Sequence, residues 1–524
     1  MRIRFLIAAA LLAGSPLAAW AQAPDAAPGS PVSDWHLGDA PGVSAARAYA
    51  MLAGRTPAPL VVAVIDSGVD IEHPDLAPVL WTNPGETAGN GVDDDGNGFV
   101  DDVHGWSFLG GADGRNIEHE TLEIARLVGA CRAGTPLDAT DCATVEAELE
   151  TQRAEYAGQL AQMAPVFSQM RAASALLAAR FPAYDAADPA ALDVGVDAEA
   201  QRAQQMLGFL ASHGATVADL DGFEDQLSSR LEYGLNPDYA VRADVIGDDP
   251  LNTADRAYGN ADVDGPDASH GTGVAGLIAA VRGNGVGIDG IAPNTATAAV
   301  VRVMALRAVP DGDERDKDVA NAIRYAVDNG ARIINMSFGK SFSPQKAAVD
   351  AAVQYATERG VLLVHASGND GEDLEPGTGN ANFPTAYLTG GAPSATWLEI
   401  GASAADTSGL AAVFSNYGQT RVDLFAPGAQ VTSLAPGGGV QTADGTSFAA
   451  PVTAGVAALV MAYFPELTAA QVRQILMDSA TRYAGRTVAT PGGGGPVDFA
   501  TLSVAGGVVN AAAAVRLALA RSAN

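Results

Sequence analysis

Residues 60–68 read LVVAVIDSG, a continuous apolar run that ends in a polar turn. A short run that is rich in β-branched residues and lacks polar alternation is typical of a strand buried on both faces of a parallel sheet. Similar runs follow at 298–304 (AAVVRVM), 331–336 (ARIINM) and 361–366 (VLLVHA). These four runs predict the central strands of one sheet.

Helical patterns lie between and after these strands. Residues 316–330 and 344–360 have amphipathic helical patterns, and 447–464 is a long apolar helix. Thr468 and Gln471 have the spacing of a capping box, which predicts the start of a further helix. Strands that alternate with helices predict an α/β fold with a doubly wound, mostly parallel sheet.

The pattern changes between residues 116 and 254, where glycine becomes less frequent. An apolar stripe recurs there at alternating steps of four and three, the spacing of one helix face: Tyr156, Leu160, Met163, Phe167 and Met170. The stripe predicts packing against the main domain or a partner helix. Pro165 is expected to kink this helix or split it in two. We therefore predict a helical insertion at 116–254 within a sheet domain formed by 56–115 and 255–520.

The charge balance restricts the partners of this chain. Its 524 residues include 61 acidic and 30 basic side chains, for a net charge of -31. Such a charge repels phosphate backbones and anionic membranes, so we expect no nucleic-acid partner. The excess of carboxylates also leaves groups that could bind calcium. No feature of the sequence indicates an oligomeric state.

The N-terminus predicts export. Residues 1–21 combine a short basic head, an apolar stretch and small residues before a cleavage point at Ala21, as in a signal peptide. The alternative is an uncleaved anchor, but Gly14 and Pro16 interrupt the apolar stretch. Residues 22–55 form a lead-in, and no later segment is apolar enough to predict a membrane span. The predicted location is the periplasm or the exterior.

Cys131 and Cys142 are the two cysteines of the chain. An oxidising compartment allows them to form a disulfide, which would close the loop CRAGTPLDATDC. This loop contains no histidine that could complete a zinc site with them. We expect a local disulfide rather than a metal or redox site.

Four polar residues stand at strand or helix ends. Asp66 and Asn369 each follow a predicted strand, whereas His270 and Ser447 each open a predicted helix. Ligands of an open parallel sheet bind beyond the carboxyl ends of its strands, so these side chains are candidates for one site. Each of them alone could be an ordinary turn or capping residue. Their order along the chain, Asp, His and then Ser, is that of the subtilisin triad.

Five sequence blocks carry a family resemblance: VIDSGVD, HGTGVAG, INMSFG, ASGND and DGTSFAAP. Together they resemble the signature blocks of subtilisin-like serine peptidases, in the order of that family. The resemblance covers roughly residues 60–115 and 255–515. The stretch YGNADVDGPDASHGT also resembles the lead into this histidine in some exported bacterial members.

The resemblance implies a fold, a reaction and site residues. It implies a subtilisin-like α/β fold and a serine endopeptidase that acts on polypeptides and needs no cofactor for catalysis. It assigns Asp66, His270 and Ser447 to the triad and Asn369 to the oxyanion site. It also implies that one segment pairs with the substrate main chain as an added strand, namely Ser337, Phe338 and Gly339.

Two positions depart from the family pattern. Gly273 and Phe448 stand where the family usually has a histidine and a methionine, and we expect altered packing rather than lost activity. The helical insertion accounts for the long interval between the Asp and His blocks.

The alternative function is a catalytically silent binding or chaperone-like protein on the same fold. The retention of all four site residues argues against it.

An acidic loop, NGVDDDGNGFVDD, predicts a structural calcium site. Its oxygen ligands recur at alternating positions as in calcium loops: Asp93, Asp95, Asn97 and Asp101. His104 stands where an EF-hand has its glutamate, and the alternative is a solvated acidic turn. The resemblance suggests Asp75 as a second calcium ligand.

A further acidic run lies at residues 311–318. We interpret it as a solvated helix start, or as a feature that favours basic side chains in the substrate.

Overall fold

The structure, a computed structural model, describes residues 34–137, 140–213, 215–406 and 409–522. The predicted signal peptide and the first part of the lead-in lie outside the described residues. The described residues divide into two compact units, a helical unit at Ile124–Tyr239 and a sheet unit made of residues 34–123 and 240–522. The insertion boundaries 116 and 254 stay a prediction.

Strands of the sheet unit are numbered along the chain. They are β1 (Leu60–Asp66), β2 (Gly105–Ser107), β3 (Val301–Arg307), β4 (Ile333–Met336), β5 (Leu362–Ala366), β6 (Trp397–Ser403), β7 (Leu424–Pro427), β8 (Val431–Ala435), β9 (Gly439–Ala443), β10 (Thr481–Arg482), β11 (Thr487–Ala489), β12 (Pro496–Asp498) and β13 (Gly507–Val508).

The main sheet has the spatial order β10-β13-β7-β6-β5-β4-β1-β3-β2. Its neighbouring strands are parallel, except that β10 and β13 are antiparallel. The pairs β8–β9 and β11–β12 form separate antiparallel hairpins. The prediction of an α/β fold with a mostly parallel sheet is confirmed.

One strand prediction was wrong in its bounds. β3 spans Val301–Arg307 rather than 298–304. The main chain of Ala298 exchanges hydrogen bonds with Thr295, and the N–H of Val300 donates to Asn294 Oδ1. These local bonds hold the apolar residues before Val301 in a turn, so the strand begins later and extends to Arg307.

Helices of the sheet unit pack on the strands. In chain order the helices of the whole protein are α1 (Ala45–Leu52), α2 (Glu123–Arg132), α3 (Cys142–Arg180), α4 (Ala198–Ser212), α5 (Val217–Ser229), α6 (Val241–Val245), α7 (Ser269–Ala279), α8 (Asp316–Asp328), α9 (Lys346–Glu358), α10 (Thr446–Tyr463), α11 (Ala469–Ser479) and α12 (Ala511–Ser522). α8 and α9 share one core cluster with alternate strand residues such as Ile65 and Ile334. α10 contacts β4 to β7 and packs against α7.

Helix α10 is apolar enough to cross a bilayer, but 94% of it is buried inside the protein. No other helix among the described residues meets the same criterion of length and hydropathy. The predicted capping box of α11 is present, since Thr468 Oγ1 accepts from the N–H of Gln471 and the Gln471 side chain accepts in return.

The helical unit is built around α3, α4 and α5. The apolar stripe predicted from sequence faces a cluster that includes Leu207 and Phe223, so it packs on partner helices of its own unit. The rings of Phe167 and Phe223 meet edge to face at 6.2 Å. α3 continues through Pro165, so the predicted split does not occur. The Cys131–Cys142 disulfide is present, as predicted.

Candidate active site

Asp66 is the last residue of β1 and is 1% exposed. Its Oδ1 atom accepts hydrogen bonds from the N–H of Ser67 at 2.8 Å and from His270 Nδ1 at 2.7 Å. Its main-chain oxygen accepts from the N–H groups of Ala308 and Val309, directly after β3. These bonds fix the carboxylate at the carboxyl edge of the sheet.

Two glycines allow the histidine helix to approach Asp66. A Cβ atom on Gly271 would lie 2.0 Å from the oxygen of Gly68 and 3.1 Å from Asp66 Cβ. A Cβ atom on Gly68 would lie 2.0 Å from the oxygen of Asp264, in the segment that leads to His270. Any larger residue at these positions would push His270 away from the carboxylate.

The electrostatic surroundings of His270 favour its charged form. Burial lowers the pKa of His270, but the charge and hydrogen bond of Asp66, together with Asp267, outweigh it and raise the pKa above its ordinary value. The His270 side chain is 37% exposed, whereas that of Asp66 is 2% exposed. Because Nδ1 is bonded to Asp66, Nε2 is the nitrogen left for proton exchange at the exposed side.

The two departures from the family pattern lie together in space. The rings of His270 and Phe448 meet edge to face, with centroids 5.7 Å apart. A Cβ atom on Gly273 would lie 3.2 Å from Phe448 Cε1 and 3.0 Å from Gln441 Nε2. Glycine at 273 therefore leaves the space that the larger phenylalanine ring needs.

Ser447 is the second residue of α10, and Asn369 lies beyond the end of β5. Asn369 Oδ1 accepts from the N–H of Thr446 at 2.8 Å and from its hydroxyl at 3.0 Å. Among the described residues, Asn369 Nδ2 has no hydrogen-bond acceptor. A Cβ atom on Gly445 would lie 2.7 Å from Ser447 Oγ and 3.6 Å from both Asn369 Nδ2 and the nitrogen of Ser447. The hydroxyl and two N–H donors thus lie around one small space.

The structure brings the four residues to the same edge of the sheet with one direct bond. Asp66 and His270 are hydrogen-bonded, and His270 contacts Phe448, the neighbour of Ser447. No hydrogen bond joins His270 to Ser447 among the described residues. Catalytic hydrogen bonds are often long without substrate and shorten in the reacting complex.

The segment after β4 lies beside Ser447. Ser337 Oγ donates to the main-chain oxygen of Ser447 at 2.8 Å and accepts from Asn335 Nδ2 at 2.9 Å. Phe338 is 9% exposed, while Gly339 is exposed. Since the Ser337 and Phe338 side chains are buried, the main chain of this segment is the part that a substrate could contact.

The residues predicted to bind calcium form Asx turns, in which their side chains accept hydrogen bonds from nearby backbone N–H groups. The carboxylate of Asp93 accepts from the N–H groups of residues 96, 97 and 98, and that of Asp101 accepts from those of residues 90 and 91. Asn97 Oδ1 accepts from the N–H of Phe99. Backbone N–H groups therefore take up much of the acceptor capacity of these residues. Asp75 accepts from the backbone N–H groups of Val281 and Ile288 and from the side-chain amide of Asn284.

Three carboxylates in the same region form a possible metal-binding group. Oxygens of Glu86, Asp95 and Asp102 lie within 4.8 Å of one another. Glu86 Oε2 is buried without a hydrogen-bond partner among the described residues, and burial raises the pKa of Asp102. Sequence spacing indicated only Asp95 of this group. Asp102 completes an acidic pair with Asp101, but nothing in the sequence places Glu86 beside the loop.

The acidic run at 311–318 is not a solvated helix start. Asp316, Lys317 and Asp318 are at most 4% exposed. Asp318 pairs with Arg242 at 2.7 Å, and Lys317 Nζ donates to a carboxylate from the segment before α7, as described below. The prediction of a solvated helix start was wrong because charged side chains from distant segments pair with this run and bury it, and the local sequence does not show these partners.

An aspartate, a histidine and a serine in this chain order along a parallel sheet define the class of subtilisin-type proteins. A model of the subtilase family matches residues 58–495. The chain belongs to the subtilase family.

The protein is similar to several curated peptidases. It is 38% identical over 218 residues to alkaline elastase YaB from Bacillus sp. (strain YaB), covering 42% of this chain and 51% of that protein. It is 38% identical over 212 residues to subtilisin Savinase from Lederbergia lenta, covering 40% of this chain and 70% of that protein. The chain spans about half the length of the elastase, and about half the length of an alkaline protease from Alkalihalobacillus alcalophilus that it also matches.

Solved structures are also similar. A protease from Pseudoalteromonas arctica PAMC 21717 is 19% identical, with a TM-score of 0.47 over 92% of this chain and 96% of that chain. The prenylagaramide maturation protease PagA is 28% identical, with a TM-score of 0.37 over 48% of this chain and 83% of that chain. Both TM-scores are below 0.5, so the family membership rests on the sequence match.

Proposed function

We propose that this protein is a serine endopeptidase that hydrolyses peptide bonds in polypeptides. The observation that supports it most directly is the hydrogen bond between Asp66 and His270, at the sheet edge where Ser447 opens a helix. The names of the similar curated proteins point the same way. The proposed reaction needs no cofactor for catalysis.

In the proposed mechanism, Ser447 Oγ attacks the carbonyl carbon of the scissile bond while His270 Nε2 takes the hydroxyl proton. Asp66 holds the imidazole by Nδ1 and stabilises its positive charge. The tetrahedral oxygen accepts hydrogen bonds from Asn369 Nδ2 and the N–H of Ser447, and one such donor typically lowers the barrier by about 3–4 kcal/mol. His270 then protonates the leaving amine, and a water molecule hydrolyses the acyl-enzyme by the same route.

Labelling with a fluorophosphonate tests the nucleophile. We expect the reagent to modify Ser447, and His270→Ala to abolish the modification, because the hydroxyl is reactive only when a base takes its proton. His213→Ala, in the helical unit, is the matched control and should leave labelling unchanged. If the folded wild-type protein is not labelled, the catalytically silent binding protein becomes the better interpretation.

We also propose that Glu86, Asp95 and Asp102 hold a structural calcium ion. Carboxylate oxygens are the ligands that calcium prefers, and the buried, unpartnered Oε2 atom of Glu86 fits that role. The Asn97 amide donates to both aspartates and could turn its oxygen to the ion instead. Asp93 and Asp101 would then shape the loop.

Chelation tests this site. Calcium at a hundred times its Kd would add about 2.7 kcal/mol to the free energy of unfolding, so adding a chelator should lower the melting temperature. Glu86→Gln should remove most of this response, whereas Glu148→Gln on the surface of α3 should keep it. An equal response to chelation in both variants would contradict the assignment.

Finally, we propose that residues 1–21 direct export and are then removed. The support is the sequence pattern described above, and the disulfide is compatible with an oxidising compartment. N-terminal sequencing of the exported protein should find the mature chain beginning at residue 22.

A further inference from the structure

Two segments leave the sheet beside the candidate active site. The first follows β3, where residues 308 and 309 bond to the main-chain oxygen of Asp66, and leads through Gly312–Glu314 into α8. The second follows β4 and spans Ser337–Lys340, where Ser337 bonds to Ser447. Each segment therefore begins at a residue that is hydrogen-bonded to a proposed catalytic residue.

The side chain of Lys340 joins these two segments. It is only 2% exposed, and its Nζ atom donates to the main-chain oxygen of Glu314 at 2.8 Å. The same atom pairs with Glu123 Oε2 at 2.7 Å and with Asp316 Oδ1 at 2.9 Å. Three acceptors from two parts of the chain, Glu123 and the stretch Glu314–Asp316, thus surround one buried ammonium group.

Asp316 adds a second connection between the segments. Its carboxylate accepts from Ser343 Oγ at 3.0 Å and from the N–H of Gln345 at 2.7 Å. Both residues lie just after Lys340 in the chain. The start of α8 is therefore bound both to Lys340 and to the residues that directly follow the second segment.

Neighbouring parts of the protein hold each segment along one edge. The main chain of Lys340 exchanges two hydrogen bonds with that of Phe383, at 3.1 and 2.9 Å. The main chain of Asp311 exchanges bonds with residues 118 and 120, at 2.8 and 2.9 Å. These bonds fix the outer edge of each segment but not the distance between the two segments. The Lys340 side chain spans that distance.

We propose that Lys340 is a positioning residue that sets the spacing of Gly312–Glu314 and Ser337–Gly339, so that an extended peptide main chain binds between them. The proposal rests on the proposed peptidase function. Main-chain recognition requires a groove whose two walls are held at a fixed separation. An ammonium group suits this role because its three donors can bind three acceptors at once.

The buried charges around Lys340 explain why a neutral residue would not replace it. Burial raises the pKa of Glu314 to about 8, while the positive charge of Lys340 opposes this rise. Without Lys340, the carboxylates of Glu123 and Asp316 would remain buried without their ammonium partner. We expect them to move toward water and to carry the two segments apart.

Kinetics of Lys340→Met with substrates of different length test the proposal. The substrates are a blocked single-residue nitrophenyl ester and a series of peptides extended by one to four residues on each side of the scissile bond. We expect kcat/KM for the longest peptide to fall by at least about tenfold, because a displaced wall misplaces the bound chain. Ester hydrolysis should stay within about twofold, because the ester reaches only the catalytic residues.

Lys346→Met is the matched control, since this lysine follows in α9 and has the same charge and a partly exposed side chain. It should leave both substrates unaffected. Lys340→Arg keeps the charge and should recover part of the loss with long peptides. An equal loss on ester and peptides, or no loss on either, would overturn the proposal.

Two further outcomes are distinguishable. If the melting curve indicates that Lys340→Met does not fold, Asp316→Asn replaces it, and the same selective loss with long peptides is expected. If the wild-type protein hydrolyses neither the ester nor the peptides and is not labelled at Ser447, the proposed function fails. A failure of the inference alone would leave wild-type activity and labelling intact.

Discussion

The contact between Asp66 and His270 determines how the proposed activity depends on pH. His270 must be neutral to take the proton of Ser447, so kcat/KM should rise as this imidazole loses its own proton. Asp66 raises the pKa of His270. The acidic limb of the pH profile of kcat/KM should therefore lie above the ordinary histidine value of about 6.5.

Asp66→Asn removes the charge that raises this pKa while keeping the size of the side chain. We expect the acidic limb to move to lower pH and kcat to fall by roughly 10⁴-fold, as when the orienting carboxylate of a serine-peptidase triad is lost. Asp267→Asn, which removes a more distant charge, should shift the limb in the same direction with little effect on kcat. An unchanged limb in Asp66→Asn would contradict the assigned pairing.

The sequence indicated individual site residues better than it indicated their surroundings. Motif order was enough to select Asp66 and His270, which the structure brings into contact, although their catalytic roles stay predictions. The fit of Phe448 against Gly273 could not be predicted from the sequence. The two departures from the family pattern are far apart in the chain, and only the structure shows that the glycine leaves space for the phenylalanine ring. Contacts between residues distant in sequence carry no local signal.

At the scale of elements, the first turn of α8 connects several segments through buried charges. Lys317 is fully buried, and its Nζ atom lies 2.6 Å from Asp248 and 3.1 Å from Asp255. The same atom lies 4.2 Å from the centre of the Tyr258 ring. Arg242 completes the network through Asp248 and Asp318. This turn therefore depends on charge pairing for its stability.

Lys317→Met should destabilise the protein strongly. Methionine fills a similar volume, but it removes one of the two cations paired with the buried carboxylate of Asp248, and breaking a buried ion pair typically costs about 3–5 kcal/mol in the free energy of unfolding. Lys346→Met removes a partly exposed pair with Asp350, which is worth about 0.5 kcal/mol. Chemical denaturation of both variants measures the difference. Equal and small losses would mean that the buried network contributes little.

Strands with unbroken apolar runs could be predicted from the sequence, whereas features that depend on polar contacts between distant residues could not. The strands at β1, β4 and β5 were found because unbroken apolar runs indicate burial on both faces. β3 was misplaced because hydrogen bonds at Ala298 oppose its hydrophobicity, and the run 311–318 was misread because its partners lie elsewhere in the chain. Continuous apolar runs therefore predicted central strands of the sheet but not the packing around the start of α8.

At the scale of the whole molecule, one buried histidine should make the sheet unit less stable at low pH. His36 lies in a short helical turn before α1 and is 0% exposed. Neither ring nitrogen has a hydrogen-bond partner among the described residues. Burial, with a smaller effect of Arg282, lowers the pKa of His36 to about 4. The folded protein thus holds this imidazole neutral where an unfolded chain would protonate it.

This difference fixes the sign of the pH effect. Between pH 6.5 and about 4 the unfolded chain binds a proton at His36 that the folded chain does not, so the free energy of unfolding falls as pH decreases. At about 1.4 kcal/mol per pH unit, the lowered pKa corresponds to a loss of about 3 kcal/mol across this range. Since the histidine of the folded state also becomes charged below about pH 4, the loss should level off there.

His36→Leu should remove this contribution, because leucine is apolar and does not titrate. Denaturation at pH 7 and pH 4 should give a loss of stability that is smaller by about 3 kcal/mol in His36→Leu than in the wild type. Comparing the two proteins cancels the titration of the carboxylates that they share. His213→Leu, at the exposed end of α4, should behave like the wild type. If His36→Leu loses as much stability as the wild type, His36 must be protonated in the folded protein, and its surroundings would have to supply an acceptor.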